Sequence, residues 1–246
     1  MSVERVLFLD IDGVLNHATS RPVPDAHGLA AWLDPTHLEP LNRVATATNA
    51  RIVVSSSWRV GRSVEDLRVL LRDFGVVAPV VGATPVLAHR PRSQEIAAWL
   101  AKHPAVTAYA IVDDELHIED GPLAPRLVKT SMRDGLTEAH VAPLVERLSL
   151  PYRAPWAGVA PGSATWLELA HSHVLFGRSL RTVARRADTD DVLLELDGGG
   201  VAGALAVVRL GGAAAGPTWP PTKIYAARWR FEEERMLPDA ADWRQG

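Results

Sequence analysis

The side chains best placed to do chemistry in this 246-residue chain begin with one short stretch, Val6-Leu7-Phe8-Leu9-Asp10-Ile11-Asp12-Gly13-Val14-Leu15-Asn16. In an extended segment residues i and i+2 project on the same side, so Asp10 and Asp12 are expected to face one site. Ionising two adjacent carboxylates is costly unless a cation or a proton lies between them. A hard divalent cation such as Mg²⁺, bound by oxygens and keeping several waters, answers that need. One carboxylate can then attack phosphorus while the other gives and takes a proton. A second acidic pair, Asp113-Asp114, ends the apolar run Ala108-Tyr109-Ala110-Ile111-Val112, and three serines, Ser55 to Ser57, end the run Ile52-Val53-Val54. Arg90 and Arg92 stand just before Ser93-Gln94-Glu95-Ile96. Together these segments hold what phosphoryl transfer requires: a nucleophile, ligands for a cation, donors to phosphate oxygens and an acid/base. Taken singly, an Asp-x-Asp pair also fits a solvated turn, and a serine at a strand end also fits a turn.

These residues need a scaffold that brings the ends of separate strands together. Apolar runs of four or five residues read as strands buried on both faces, as in a parallel sheet. Between them lie helical patterns. One carries Leu38, Leu41, Val44 and Ala45, with Pro40 in its first turn, and another opens at Ser63 and stops at Gly75. A third carries Ile96, Trp99 and Leu100, and a fourth starts at Asp134-Gly135-Leu136-Thr137 and buries Val141, Leu144, Val145 and Leu148. Further strands are expected at Val76–Val81, despite Pro79, and at Arg126–Lys129. This alternation defines an α/β fold with a doubly wound, Rossmann-like parallel sheet, in which strand carboxyl ends line one crevice. Residues 149–163 hold Pro151, Pro155, Gly158, Pro161 and Gly162 without a period, and 151–163 read as a linker. Beyond it, a small α+β module is expected over 164–246. Its elements are helical segments at 166–169 and 180–183, strands at 192–196 and 205–210 joined by Asp197-Gly198-Gly199-Gly200, and an amphipathic helix at 225–236.

Composition removes several classes. There is no cysteine, so disulfides, thiolate metal sites and cysteine nucleophiles are excluded. A net charge of −3 makes no global case for nucleic-acid binding, though a local basic groove is compatible with it. No apolar run approaches a membrane span, and Met-Ser-Val-Glu-Arg carries no cleavable signal pattern, so a cytoplasmic protein without a membrane partner is expected. His171-Ser172-His173 has no acidic or histidine partner at ligand spacing and reads as surface or core histidine. Lys129 and Arg133 read as solvated, and the eight tryptophans as packing residues.

The stretch Val6–Asn16 resembles the first motif of the haloacid-dehalogenase (HAD) superfamily, an apolar strand leading into Asp-x-Asp-Gly, and the resemblance extends in order over residues 5–148. It implies that Asp10 is a nucleophile forming an aspartyl-phosphate. Asp12 would be the general acid and then the base, its backbone carbonyl also binding Mg²⁺. Ser55 matches the second motif, whose hydroxyl donates to a phosphate oxygen, with Asn16 and Ser56 as neighbouring substrate contacts. Ser55-Ser56-Ser57-Trp58-Arg59 resembles a subset of capless HAD proteins, some associated with nucleic-acid repair. Arg59 would contact substrate or lie on a helix surface. Arg92 takes the third-motif cation position, where most HAD enzymes have lysine, with Arg90 as its competitor. Asp113 and Asp114 match the fourth motif and would complete a Mg²⁺ shell with Asp10 and Asp12, Asp114 directly and Asp113 in support.

Residues 1–150 thus read as a HAD-like catalytic domain, and the resemblance implies a Mg²⁺-dependent phosphomonoester hydrolase. A capless site is open, which suits a phosphorylated macromolecule or a nucleic-acid end. Two rivals stand beside this reading: a phosphotransferase with the same site, and a HAD-fold binding protein working through its carboxy-terminal module.

Overall fold

A computed structural model describes residues 4–23, 28–114, 118, 121–164, 167, 169–197, 204–210 and 219–244. The chain divides into two compact units, Ser2–Ser149 and Leu150–Gly246.

The first unit is a five-stranded sheet in the order β3-β2-β1-β4-β5, with every pair parallel. Its strands are β1 Glu4–Leu9, β2 Arg51–Val54, β3 Val80–Ala83, β4 Val106–Asp113 and β5 Leu127–Lys129. Its helices are α1 Leu38–Thr48, α2 Val64–Phe74, α3 Arg92–Ala101 and α4 Val141–Leu148. Strand β3 begins later than the expected Val76, because Pro79 has no N–H for the ladder and ends the loop before the strand, offering its carbonyl to Ile52 N at 2.9 Å. Successive strand residues alternate between two cores. Leu7, Leu9, Ile52, Val54, Ala110 and Val112 join residues of α1, α2 and α4 in one cluster. Val6, Phe8, Val53 and Ile111 join Ile96 and Trp99 of α3 in the other, where Phe8 meets Trp99 edge-on at 5.4 Å. Helix α2 starts at a capping box of Ser63 and Asp66 and stops at Gly75 with φ 104°.

The second unit is an antiparallel meander, β10-β9-β8-β7-β6. Strands β6 Trp156–Ser163, β7 Ser179–Arg186, β8 Asp191–Asp197, β9 Leu205–Arg209 and β10 Thr222–Tyr225 precede α5 Arg228–Phe231, a π-helical turn Glu232–Met236 and α6 Leu237–Trp243. Several sequence expectations are corrected, among them the helix at 225–236, which starts at Arg228 because Tyr225 closes β10. Most of the expected linker is β6, paired with β7 through Trp156 and Arg186 at one end and Ser163 and Arg181 at the other. The expected helix at 180–183 lies in β7, whose buried positions Thr182 and Ala184 alternate as a strand requires. Leu167 and Leu169 lie outside any helix or strand, Trp166 and Glu168 lie outside the described residues, and so do residues 198–200 of the expected turn.

Candidate active site

The parallel ladder itself gathers the site. Beyond the last strand residues, Asp10 N–H donates to Val112 O, Ser55 N–H to Leu9 O, Thr84 N–H to Val54 O and Thr130 N–H to Asp113 O, at 2.9–3.1 Å. Leu9 is in register with Val54 and Val112, and Val54 with Ala83. Asp10, Ser55, Thr84 and Asp113 are therefore one row across four adjacent strands. By the alternation of the two cores, that row continues the face of Phe8, Val53 and Ile111, against which α3 packs.

Helix α3 begins at Arg92, and its guanidinium Nη1 donates to Asp10 Oδ2 and, at 2.6 Å, to Asp113 Oδ2. Burial opposes the Arg92 charge, but the carboxylates of Asp113 and Asp10 outweigh it and hold its pKa above the ordinary arginine value. Arg90 is exposed, and the cation that reaches Asp10 is Arg92. Asp10 Oδ1 also accepts the Ile11 N–H at 2.8 Å.

Ligand atoms of Asp10, Asp113 and Asp114 lie within 4.8 Å of one another. Three carboxylates so close give an all-oxygen donor set, which suits a hard divalent cation. The turn is shaped around this cluster, since Gly13 has φ +70° and a Cβ there would lie 2.4 Å from Asp114 Oδ2. The residues present fit Mg²⁺.

Asp12 departs from expectation. The strand ends at Leu9, and the chain turns at once, with the N–H groups of Val14 and Leu15 both donating to Ile11 O. Asp12 is thus not an extended i+2 neighbour, and its carboxylate is not part of the three-carboxylate cluster. Asn16 Nδ2 holds its Oδ1 at 2.9 Å and Trp58 Nε1 holds its Oδ2 at 2.9 Å. Asn16 Oδ1 in turn accepts Gly13 N–H at 3.1 Å, so this side chain positions Asp12 rather than standing free for substrate. Trp58 packs against the core as read from sequence, and its indole N–H also reaches the same carboxylate.

Ser55 is fully buried, and its Oγ has no hydrogen-bond partner among the described residues. An unmet buried hydroxyl in the Asp10 row is what a phosphate oxygen would satisfy. Ser56 is also fully buried, and its Oγ accepts Trp58 N–H at 3.3 Å, capping a short 3₁₀ turn. Arg59 is neither a substrate contact nor a surface residue. It is 8% exposed, donates to Ser55 O and Ser56 O at 2.6 Å and to Thr84 O at 3.0 Å, and pairs with buried Glu95 of α3. It ties the ends of β2 and β3 to the helix that carries Arg92.

The remaining readings are local. Lys129 and Arg133 are exposed. His173 is a core histidine, its Nε2 3.0 Å from Pro220 O, and the exposed His171 ring lies against Phe176.

A parallel sheet of this order, an Asp-x-Asp-Gly turn after its central strand, an acidic pair after the neighbouring strand and no inserted domain among the described residues after β1 or β3 define a HAD-superfamily protein of the capless type. More particularly, residues 6–141 match the family model described as the HAD domain in Swiss Army Knife RNA repair proteins, and the chain, more than half of which is covered, belongs to that family. No curated protein and no solved structure matches the chain significantly. Among the described residues no helix is long and apolar enough to cross a membrane.

Proposed function

We propose that the chain is a Mg²⁺-dependent phosphomonoester hydrolase whose substrate is a phosphorylated RNA end. The observation that carries the reading is the row at the strand ends, in which Asp10 stands between the unpartnered Ser55 hydroxyl and the Arg92–Asp113 pair. The family's description as a domain of RNA repair proteins supports the choice of substrate, and a capless site suits an end too large for a closed pocket.

Asp10, Asp113, Asp114 and the backbone carbonyl of Asp12 would hold the cation. When bound, Mg²⁺ would supply charge that offsets repulsion between the attacking carboxylate and the phosphoryl oxygens. A carboxylate oxygen of Asp10 attacks phosphorus and the ester oxygen leaves. Asp12, protonated, gives that oxygen its proton, so the alcohol departs neutral and Asp10 carries an acyl phosphate. Asp12, now a carboxylate, takes a proton from water, whose oxygen attacks the same phosphorus. Inorganic phosphate leaves, Asp10 is restored, and Asp12 is again protonated. Ser55 Oγ–H donates to a non-bridging oxygen through both halves. Arg92 is preorganised by two carboxylates and needs no rearrangement to stabilise charge that develops beside Asp10. Trp58 and Asn16 fix the direction from which Asp12 delivers its proton.

The test is release of inorganic phosphate from 5′- and 3′-phosphorylated RNA oligonucleotides, the matching mononucleotides and a phosphopeptide. Expected is release from an oligonucleotide end in preference to the others, abolished by chelation and restored by Mg²⁺. Transfer of the phosphoryl group to a second substrate without phosphate release would favour a phosphotransferase. No turnover on any substrate, with binding retained, would favour a recognition module.

A further inference from the structure

A second group of metal-ligating side chains lies outside the carboxylate cluster. His17, Asp34 and His37 have ligand atoms within 4.8 Å of one another. His37 Nε2 is 3.3 Å from His17 Nδ1, and Asp34 Oδ2 is 3.4 Å from the same nitrogen. Ligands about 2.0–2.1 Å from a tetrahedral Zn²⁺ are separated along the tetrahedron's edges by about 3.3–3.4 Å. Both separations are therefore of the size a shared Zn²⁺ imposes.

The surroundings prepare these atoms for a metal. His37 Nδ1 is 2.7 Å from Leu136 O, a contact that requires the proton on Nδ1 and leaves the Nε2 lone pair facing His17. A metal-binding histidine is oriented in this way, its other nitrogen donating to a carbonyl. Gly135, with φ +61°, lets the backbone approach that ring, since a Cβ there would sit 2.5 Å from it. Asp34 Oδ1 is occupied by Thr36 N–H at 3.0 Å and Thr36 Oγ1 at 2.8 Å, which turns Oδ2 towards the histidines. Asp34 caps the 3₁₀ turn Pro35–His37, and residues three apart on such a turn eclipse, so the Asp-x-x-His spacing puts both ligands on one side. Ser20 Oγ lies 3.0 Å from Asp34 Oδ2 and 2.5 Å from His17 Nδ1, hydrogen-bond contacts that a cation on those two atoms would replace. His37 is 3% exposed, and burial depresses its pKa, which keeps the imidazole neutral as a ligand must be.

We infer that His17, Asp34 and His37 form a structural site for a borderline divalent cation, Zn²⁺ by its N/O donor set, separate from the Mg²⁺ cluster. The metal would join the residue after Asn16 to the 3₁₀ turn that leads into α1. It would thereby steady Asn16, which holds Asp12.

The test reads metal content and not turnover, so it stands whether or not the phosphatase reading holds. The full chain is stripped with chelator, reloaded with Zn²⁺, freed of excess and assayed by atomic emission. Expected is one Zn²⁺ per chain, retained in an Asp10→Asn/Asp113→Asn double variant and weakened ~10³-fold or more in Asp34→Asn and His17→Gln, beyond the roughly 10–100-fold that loss of an outer-shell partner commonly costs. Asn still caps a turn, so Asp34→Asn should match the far-UV circular dichroism of the metal-free wild type. Co²⁺ in the unaltered chain supplies a measure free of any variant, with intense tetrahedral absorption expected. Weak octahedral absorption, absence of retained Zn²⁺, or Zn²⁺ lost with Asp10 and Asp113 but kept by His17→Gln would each overturn the site and leave a hydrogen-bonded relay in its place.

Discussion

Both units match some buried acids with a base, as Arg59 matches Glu95 in the parallel unit, but they differ at the strand ends. Among the described residues of the antiparallel unit each buried acid is matched. Asp191 is paired with Arg209 at 2.8 Å and Arg235 at 2.9 Å. Glu232 accepts Arg228 Nε at 2.9 Å and Leu150 N–H at 3.0 Å. The partly buried Asp239 receives Trp156 Nε1 at 2.7 Å and Arg235 Nε at 2.7 Å. In the parallel unit Asp10 and Asp113 share one arginine, and Asp114 lies beside them. The difference follows from topology. A parallel sheet brings every carboxyl end to the same edge, so segments distant in sequence converge there. A meander sends alternate strand ends in opposite directions and uses its charges within the element pairs that carry them. The meander spends its acids on ion pairs, and the parallel edge gathers carboxylate oxygens close enough to share a cation.

The sharpest way to break this contrast is Asp10→Asn, which keeps shape and removes the attacking charge. Turnover is expected to fall ~10³-fold or more while the melting temperature holds or rises, since a crowded carboxylate has been relieved. Substantial phosphate release by the folded variant would end the covalent mechanism. Next, Arg92→Ala should lower kcat ~10²-fold, as loss of a transition-state donor commonly does. Arg90→Ala, removing an exposed charge, should change kcat little; steady-state kinetics of both variants would expose the reverse order. Trp58→Phe keeps an aromatic ring and removes one donor to Asp12, so a loss of roughly tenfold in kcat is expected, the worth of one hydrogen bond to a charged group. A shifted pH–rate profile with KM unchanged would mark this as positioning of the acid/base, whereas an unaltered profile would make Trp58 a packing residue after all. The smallest effect is reserved for the other unit. A chain ending at Ser149 should still hydrolyse p-nitrophenyl phosphate within about threefold of the full chain, because all the site residues lie in one compact unit. A melting curve and kcat/KM on that ester would check it, and a collapsed fold would show that the two units depend on each other.

The same contrast explains what can be read from the amino acids. In the parallel unit each strand is a short apolar run with its chemical residue immediately after, so Asp10, Ser55 and Asp113 are legible along with their order. Asp12 is misplaced when extended spacing is carried beyond Leu9, where Gly13 and the bonds to Ile11 O already turn the chain. Arg59 is hard to read because its partner, Glu95, is thirty-six residues away. Trp58 gives no local sign that its indole meets Asp12, forty-six residues earlier. In the antiparallel unit the inward positions of β7 are Thr182 and Ala184, too small or polar to show a period of two, while Leu180 and Val183 mimic helical spacing. Strand β6 hides among proline and glycine, and its one buried aromatic residue, Trp156, packs edge-on against Phe231 at 5.1 Å.

The turn at Gly13 has a consequence for what variation this chain can tolerate. Two independent demands fall on that position: a backbone at φ +70° and empty space, since Asp114 Oδ2 would lie 2.4 Å from any Cβ. Asparagine, which meets the first demand better than most residues, fails the second. Gly28 and Gly61 have the same sign of φ, at +57° and +74°, but nothing lies within 4 Å of where a Cβ would stand, so asparagine should pass there. A saturation library scored for phosphate release should accordingly return several residues at 28 and 61 and glycine alone at 13. Gly13 would then be as invariant under selection as Asp10, the proposed nucleophile three residues before it, though it would contribute no atom to the reaction.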